Sequence, residues 1–340
     1  MKNKIQDMTS GSPGRLIILF AIPLMLGNIC QQLYTMVDTM VVGQVAGVEA
    51  LAALGAVDFL MWVVTGISTG LTQGFSIQLS QYYGAKDFEN LRKSLAHSYR
   101  LTAFIAAGVL ILSQSFASLV LTGLHTPSNI IGMSLLYLRI IFCGIPATAA
   151  YNMFASALRA MGNSKTPLTA MIIASVLNVS LDILFVAGFG WGVAGAAIAT
   201  VIAQSFSAVY CFLILRRIDI VHLTRADFMP DSGMNARLMK LGIPVVFQNI
   251  IIGVGGLVVQ YVINGYGFLF VAGFTATNKL YGLLEMAAIS YGYAIVTYVG
   301  QNLGAGKIDR IRKGVRSSML LCLLTSLIIS AAMFLFGKNI

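Results

Sequence analysis

Nine stretches of predominantly apolar residues run almost end to end through this 340-residue chain: Leu16 to Val42, Leu51 to Leu79, Leu101 to Leu121, Ile131 to Leu158, Leu168 to Ala187, Val193 to Leu215, Leu241 to Ile263, Val271 to Val299 and Met319 to Phe336. Each is about the 20 residues that a helix needs to cross a bilayer core. They lack the strict alternation and the length of about 10 residues that barrel strands show, so they are read as helices. A soluble domain carries about a quarter of its residues as charges. This chain carries 10%, with a mean hydropathy of +0.83, and so belongs in lipid. The expected fold is an all-α polytopic membrane protein.

The few charges are sorted along the chain. Nineteen of the 22 Lys and Arg fall in five segments: the N-terminus to Arg15, Gly84 to Arg100, Arg159 to Lys165, Arg216 to Lys240, and Lys307 to Arg316. The intervening loops, Gly43 to Ala50, Thr122 to Ile130, Gly188 to Gly192 and Asn264 to Phe270, have none. Under the positive-inside rule this alternation places the N-terminus and all five basic segments in the cytoplasm of a multi-pass inner (plasma) membrane protein. The net charge of +10 is then a topology signal plus attraction to anionic headgroups, and calls for no nucleic acid. The first 15 residues lack the short apolar core and cleavage site of a signal peptide.

Shifted by about 220 residues, the sequence matches itself. Ile22-Pro23 aligns with Ile243-Pro244, Gln81 to Ala85 with Gln301 to Ala305, and Leu91-Arg92-Lys93 with Ile311-Arg312-Lys313. Six spans return the chain to its starting side. The two halves are therefore parallel repeats about an axis along the membrane normal, a plan that puts a transport path between bundles. Residues 1–215 form a complete six-helix bundle, 216–240 a cytoplasmic linker, and 241–340 the first three helices of a second, incomplete bundle. Under this offset the counterparts of residues 121–215, about 95 residues, are missing, and the sequence is expected to be part of a longer one.

A charge deep in lipid costs at least about 2.5 kcal/mol, so each intramembrane ionisable residue needs a reason. Asp38 and Asp182 lie near the far ends of two spans that run the same way. Asn178 sits one turn from Asp182 on the same face, and Thr200 two turns into the next span. These four could share one level. Their oxygens suit a small hard cation, or the paired carboxylates could hold a proton. Against this, Asp38 could be merely interfacial. Arg139 is read as snorkelling or bracing a neighbour. Asp58 and Lys279, at nearly equivalent repeat positions, could pair or line a vestibule. Glu285, more buried by position, has no assigned role. Met25, Tyr34, Met36, Phe59, Met61 and Trp62 could line an adaptable apolar pocket. The four cysteines and three histidines are scattered singly, and no nucleophile–base pair or phosphate loop is present, so neither an enzyme nor a resident cofactor is expected.

Several motifs resemble those of the multidrug and toxic compound extrusion (MATE) transporters: Gln31 to Tyr34 followed by Val37-Asp38-Thr39, Leu158 to Pro167, Asn178 to Asp182, Gly192 to Ala197 leading to Thr200, and Gly84-Ala85 with Gly304-Ala305 before basic loops. The resemblance covers the chain from Ile22-Pro23 onward. It implies twelve helices in two bundles, and export of amphiphilic, often cationic, compounds in exchange for H⁺ or Na⁺. It further implies that Asp38, Asn178, Asp182 and Thr200 form the cation-coupling site and that the first helix bends at Pro23. One branch of the family uses a carboxylate on the seventh helix. Here Leu241 to Ile263 has none, Gln248 being the nearest polar substitute, so the chain resembles the branch that couples through the first bundle. Gln248, Lys279 and Glu285 are kept as second-bundle or cavity polar residues. Expected partners are the amphiphilic substrate and membrane lipid, with the protein a monomer. The alternatives are a lipid-linked precursor flippase, which should have a more basic cavity, and a nonfunctional fragment.

Overall fold

The computed structural model describes residues 5–124, 126–264 and 268–336, with side chains except at 59 and at most positions from 257 to 284 and from 332 to 336. Among the described residues all regular structure is helical. Helix α1 (Pro13–Val45) opens on Pro13, whose fixed φ and missing N–H suit a first turn, and carries Pro23 within it. Helices α2 (Val48–Gly55) and α3 (Asp58–Gly84) follow, then α4 (Phe88–Gly123), α5 (Ile131–Cys143) and α6 (Ile145–Ala160). The Asp87 carboxylate caps α4 by accepting from the Asn90 N–H at 3.1 Å. Helix α7 (Lys165–Asp182) runs into a π-helical turn (Ile183–Gly188) before α8 (Gly192–Arg216). Two 3₁₀ turns then lead to α9 (Ser232–Asn264), α10 (Phe268–Gly304) and α11 (Ile308–Phe336).

These boundaries correct the sequence reading in three places. The second and fourth spans, expected to be continuous, are each broken: α2 and α3 part at Ala56-Val57, and α5 meets α6 at a 46° bend on Gly144, where Pro146 removes a backbone donor. A Cβ at Gly144 would lie 2.6 Å from Val201 Cγ2, so the bend also brings α8 close. The stretch Gly43 to Ala50 is mostly helix, leaving only Ala46-Gly47 as a turn, with Gly47 at φ +93°. The segment 216–240 is linker only to residue 231, because α9 begins at Ser232. Long apolar spans hid these breaks because a bent pair and a straight helix carry the same hydropathy.

All five basic segments meet at one end of the molecule. The Gln6 N–H donates to the Gly162 carbonyl at 2.9 Å, and the Met8 N–H to Gln301 Oε1 at 3.1 Å. Arg310 donates to the Gly11 carbonyl, His97 Nδ1 lies 2.8 Å from Asn235 Oδ1, and Arg92 faces Asp227 at 3.9 Å. Lys86 and Lys307 line one cavity together with Asp7 and Thr9. At the opposite end Asn129 reaches Glu49, and Ser134 Oγ donates to the Ala53 carbonyl.

The seam between the halves follows the repeat. Helix α3 packs along α9 and α10, and α1 along α10. A Cβ on Gly84 would overlap the Gln301 carbonyl, and one on Gly304 the Gln81 carbonyl. Since 84 and 304, like 81 and 301, are offset equivalents, these are one contact made twice about a two-fold axis. Ser80 meets its own equivalent, Gly300, on that axis. Higher up, Asn28 Nδ2 donates to Ser290 Oγ, and its equivalent Asn249 to the Gly66 carbonyl, both at 3.1 Å. Among the described residues no hydrogen bond joins the halves beyond this level. Leu33, Met36 and Met40 on α1 and Trp62 on α3 lie exposed past it.

Candidate cation-binding site

The four residues singled out for cation coupling are placed by α1, α7 and α8 near the end away from the basic loops. Asn178 and Asp182 are fully buried one turn apart on α7, and Asp38 on α1 is 6% exposed. Asn178 Nδ2 donates to Thr200 Oγ1 of α8 at 3.4 Å. The Asp38 charge acts on Asp182, that of Asp58 acts on Asp38, and Tyr34 feels both Asp38 and Asp182. Asp182 is the last α-helical residue before the π turn, and such turns widen a helix and re-aim its side chains.

The group gathers unsatisfied carboxylate and amide oxygens in one place. Asp38 Oδ1, Asn178 Oδ1 and both carboxylate oxygens of Asp182 are buried and accept no hydrogen bond among the described residues. Gln204 Oε1 is in the same condition, while its amide donates to the Tyr34 hydroxyl at 3.4 Å. A buried acceptor without a donor costs about 1–3 kcal/mol, and more if charged. Two carboxylates sharing a dry site cost more still unless something positive joins them. Such an all-oxygen set fits a hard cation or a proton, and it offers no thiolate or imidazole for a softer metal. Among the described residues there is no cluster of three or more His, Cys, Asp and Glu.

Tyr34 and Gln204 were not read from sequence as part of this set, Tyr34 having been placed in an apolar pocket. The signal was available. Tyr34 precedes Asp38 by four residues and Gln204 follows Thr200 by four, so each shares its partner's helical face. Tyr137 of α5, which also feels both carboxylates, had no such signal, because only the tertiary fold brings α5 there.

The other candidates fare differently. Pro23 is buried inside an unbroken α1. Gln248 is exposed, and its neighbour Asn249 makes the cross-seam bond instead. Glu285, expected to be more buried by position, is exposed. Lys279 lies outside the described side chains, and with it the suggested pairing to Asp58. The apolar pocket does not form as one unit: Met25 and Met61 pack into separate cores, Met36 and Trp62 are exposed, and Phe59 lies outside the described side chains.

Comparison with known proteins agrees with this architecture. The MatE family profile matches residues 23–184 and 244–340, one segment in each repeat. The probable multidrug resistance protein YpnP of Bacillus subtilis is 32% identical over 308 residues, spanning 91% of this chain and 69% of that protein. YoeA of the same organism, also a probable multidrug resistance protein, is 28% identical, spanning 98% of this chain and 74% of its own length. Among solved structures, an outward-facing multidrug resistance MATE transporter of the MOP superfamily superposes with a TM-score of 0.92 at 22% identity, over 98% of this chain and 74% of that one. With both repeats matched by the family profile and a relative 32% identical across nearly the whole chain, this protein belongs to the MATE family, whose members are transporters and not enzymes.

Proposed function

We propose that the protein is a secondary antiporter that exports amphiphilic, cationic compounds in exchange for H⁺ or Na⁺. The observation that carries this reading is the buried pair Asp38 and Asp182, with their unpartnered oxygens, on two helices of one bundle. The names of YpnP and YoeA support multidrug export as the class of transport. Among the described residues the hydrogen bonds that join the halves run from the basic end up to Asn28 and Asn249, and the carboxylates lie beyond that level. In the proposed cycle the site takes a cation from that side, substrate leaves, and the halves rock so that the basic end opens and releases the cation. A ligand drives such a change only by binding the two states differently. Neutralising two desolvated carboxylates supplies that difference.

The test is efflux of a fluorescent cationic dye from vesicles carrying the protein, under an imposed Na⁺ or H⁺ gradient. Dye movement against its own gradient, driven by one of the two ions, is expected. Movement independent of both gradients would overturn the antiport reading.

The basic end is proposed to face the cytoplasm. Membrane-impermeant maleimide applied to sealed cells is therefore expected to label single cysteines placed in 122–130 and not those in 84–93. Labelling of the basic loop alone would invert the orientation.

A further inference from the structure

On the outer surface of the first bundle, away from both the carboxylates and the seam, an open groove between α4 and α5 holds an arginine. Leu110, Gln114, Ser115, Arg139, Ile140 and Cys143 line it, next to the 46° bend at Gly144. The surrounding face is built for lipid: Phe104 is 81% exposed, Ile111 65% and Leu119 67%. Arg139 is exposed too. It lies eight residues into α5, about 12 Å below the helix start at 1.5 Å per residue, where half of a hydrocarbon core is about 15 Å.

The neighbours do not satisfy this cation. The Gln114 amide donates to the Arg139 backbone carbonyl at 2.8 Å and to Cys143 Sγ at 3.2 Å, and the Ser115 hydroxyl donates to the Ile111 carbonyl. The ion pairs among the described residues are Arg92–Asp227, Lys93–Glu89 and His222–Asp219, and none includes Arg139. The guanidinium thus presents a planar fork of N–H donors to the bilayer with no acceptor among the described residues, in a medium where an unpaired charge is costly. Side chains on a helix lean toward its N-terminus, which here means toward the 124–130 end, so the fork rises to just under the headgroups. Phosphate matches that fork in charge and in bidentate geometry.

We propose that this groove is a binding site for an anionic phospholipid of the leaflet on the 124–130 side. Its phosphate sits on Arg139, and an acyl chain runs along Leu110, Ile111 and Ile140. The match of charge and geometry selects a lipid over a second copy of the chain, since no carboxylate lies on this face to meet the arginine of a symmetry-related partner.

Native mass spectrometry of the purified protein, titrated with phosphatidylglycerol or phosphatidylcholine, tests the site. The wild type is expected to retain one phosphatidylglycerol in preference to phosphatidylcholine. Arg139→Gln should weaken that first binding event by roughly tenfold, the scale of a lost charge-assisted hydrogen bond. Arg139→Lys, which keeps the charge but not the fork, should fall between them. Leu136→Ala on the same exposed face should change nothing. Equal retention by wild type and Arg139→Gln would overturn the site, and so would a dimer that disappears in Arg139→Gln.

Discussion

Replacing Asp182 with asparagine is expected to reduce gradient-driven efflux to the level of vesicles without the protein, while membrane expression stays near normal. Asparagine keeps the size and shape of the side chain on α7. It removes a charge that is fully buried with both oxygens unpartnered, so the fold loses a burden and not a support. What disappears is the only part of the side chain that distinguishes a cation-loaded from an empty site. Asp38→Asn should behave in the same way, since its carboxylate acts on that of Asp182. Thr200→Ala should weaken transport less, because the Thr200 hydroxyl touches the set through Asn178 at 3.4 Å. A bracing role would give the opposite pattern, with Asn tolerated and Ala lowering expression. Binding can be read apart from transport, as the shift in melting temperature on adding Na⁺ or lowering pH. That shift should be present in the wild type and absent in both Asn variants. Wild-type efflux in both would remove the pair from the mechanism.

A second large effect is expected from a single methyl group at the seam. Gly84 is ordinary helix, so alanine suits its backbone, but the added Cβ would run into the Gln301 carbonyl, which is itself fixed in α10. Gly304→Ala meets the Gln81 carbonyl in the same way. Overpacking of this kind costs about 1–3 kcal/mol. Here it falls only on the arrangement with the basic end closed, so it should shift the balance toward an open basic end by roughly five- to 150-fold. Ser80, fully buried on the axis, is the reporter: as a cysteine in a chain otherwise free of them, it should react with maleimide faster by that factor. Gly108→Ala on α4, whose Cβ would meet nothing within 4 Å, is the control and should leave the rate unchanged. Unchanged labelling in both seam variants would mean that the halves close without this contact.

The parts of this molecule legible in its sequence are those that lipid imposes. A span must be apolar and about 20 residues long, so the helices announce themselves, and a charge inside one must have a reason, so Asp38 and Asp182 stand out. The repeat was visible because prolines and basic loops recur at a nearly fixed spacing. The bends at Ala56-Val57 and Gly144 were not, because breaking a helix leaves its hydropathy intact. Asn28 and Asn249 escaped notice for a related reason: an amide in a span is cheap enough to have many explanations, and only the packed seam shows that both reach across it. Glu285 misled because position along a helix gives depth but not direction.

The connection at 217–231 bears on how firmly the halves must grip. A short tether holds two modules at an effective concentration on the order of millimolar, so they stay together even when their mutual affinity is weak. The seam it spans combines glycine-against-carbonyl contacts and two asparagine bonds with two apolar clusters, Leu71, Phe75 and Leu79 against Met234 and Leu238, and Ile17, Phe20 and Leu24 against Tyr291 and Tyr298. Tethered, the halves lose almost no translational freedom on closing and regain almost none on opening, so the seam contacts have only to choose between two states and never to hold two separate molecules together.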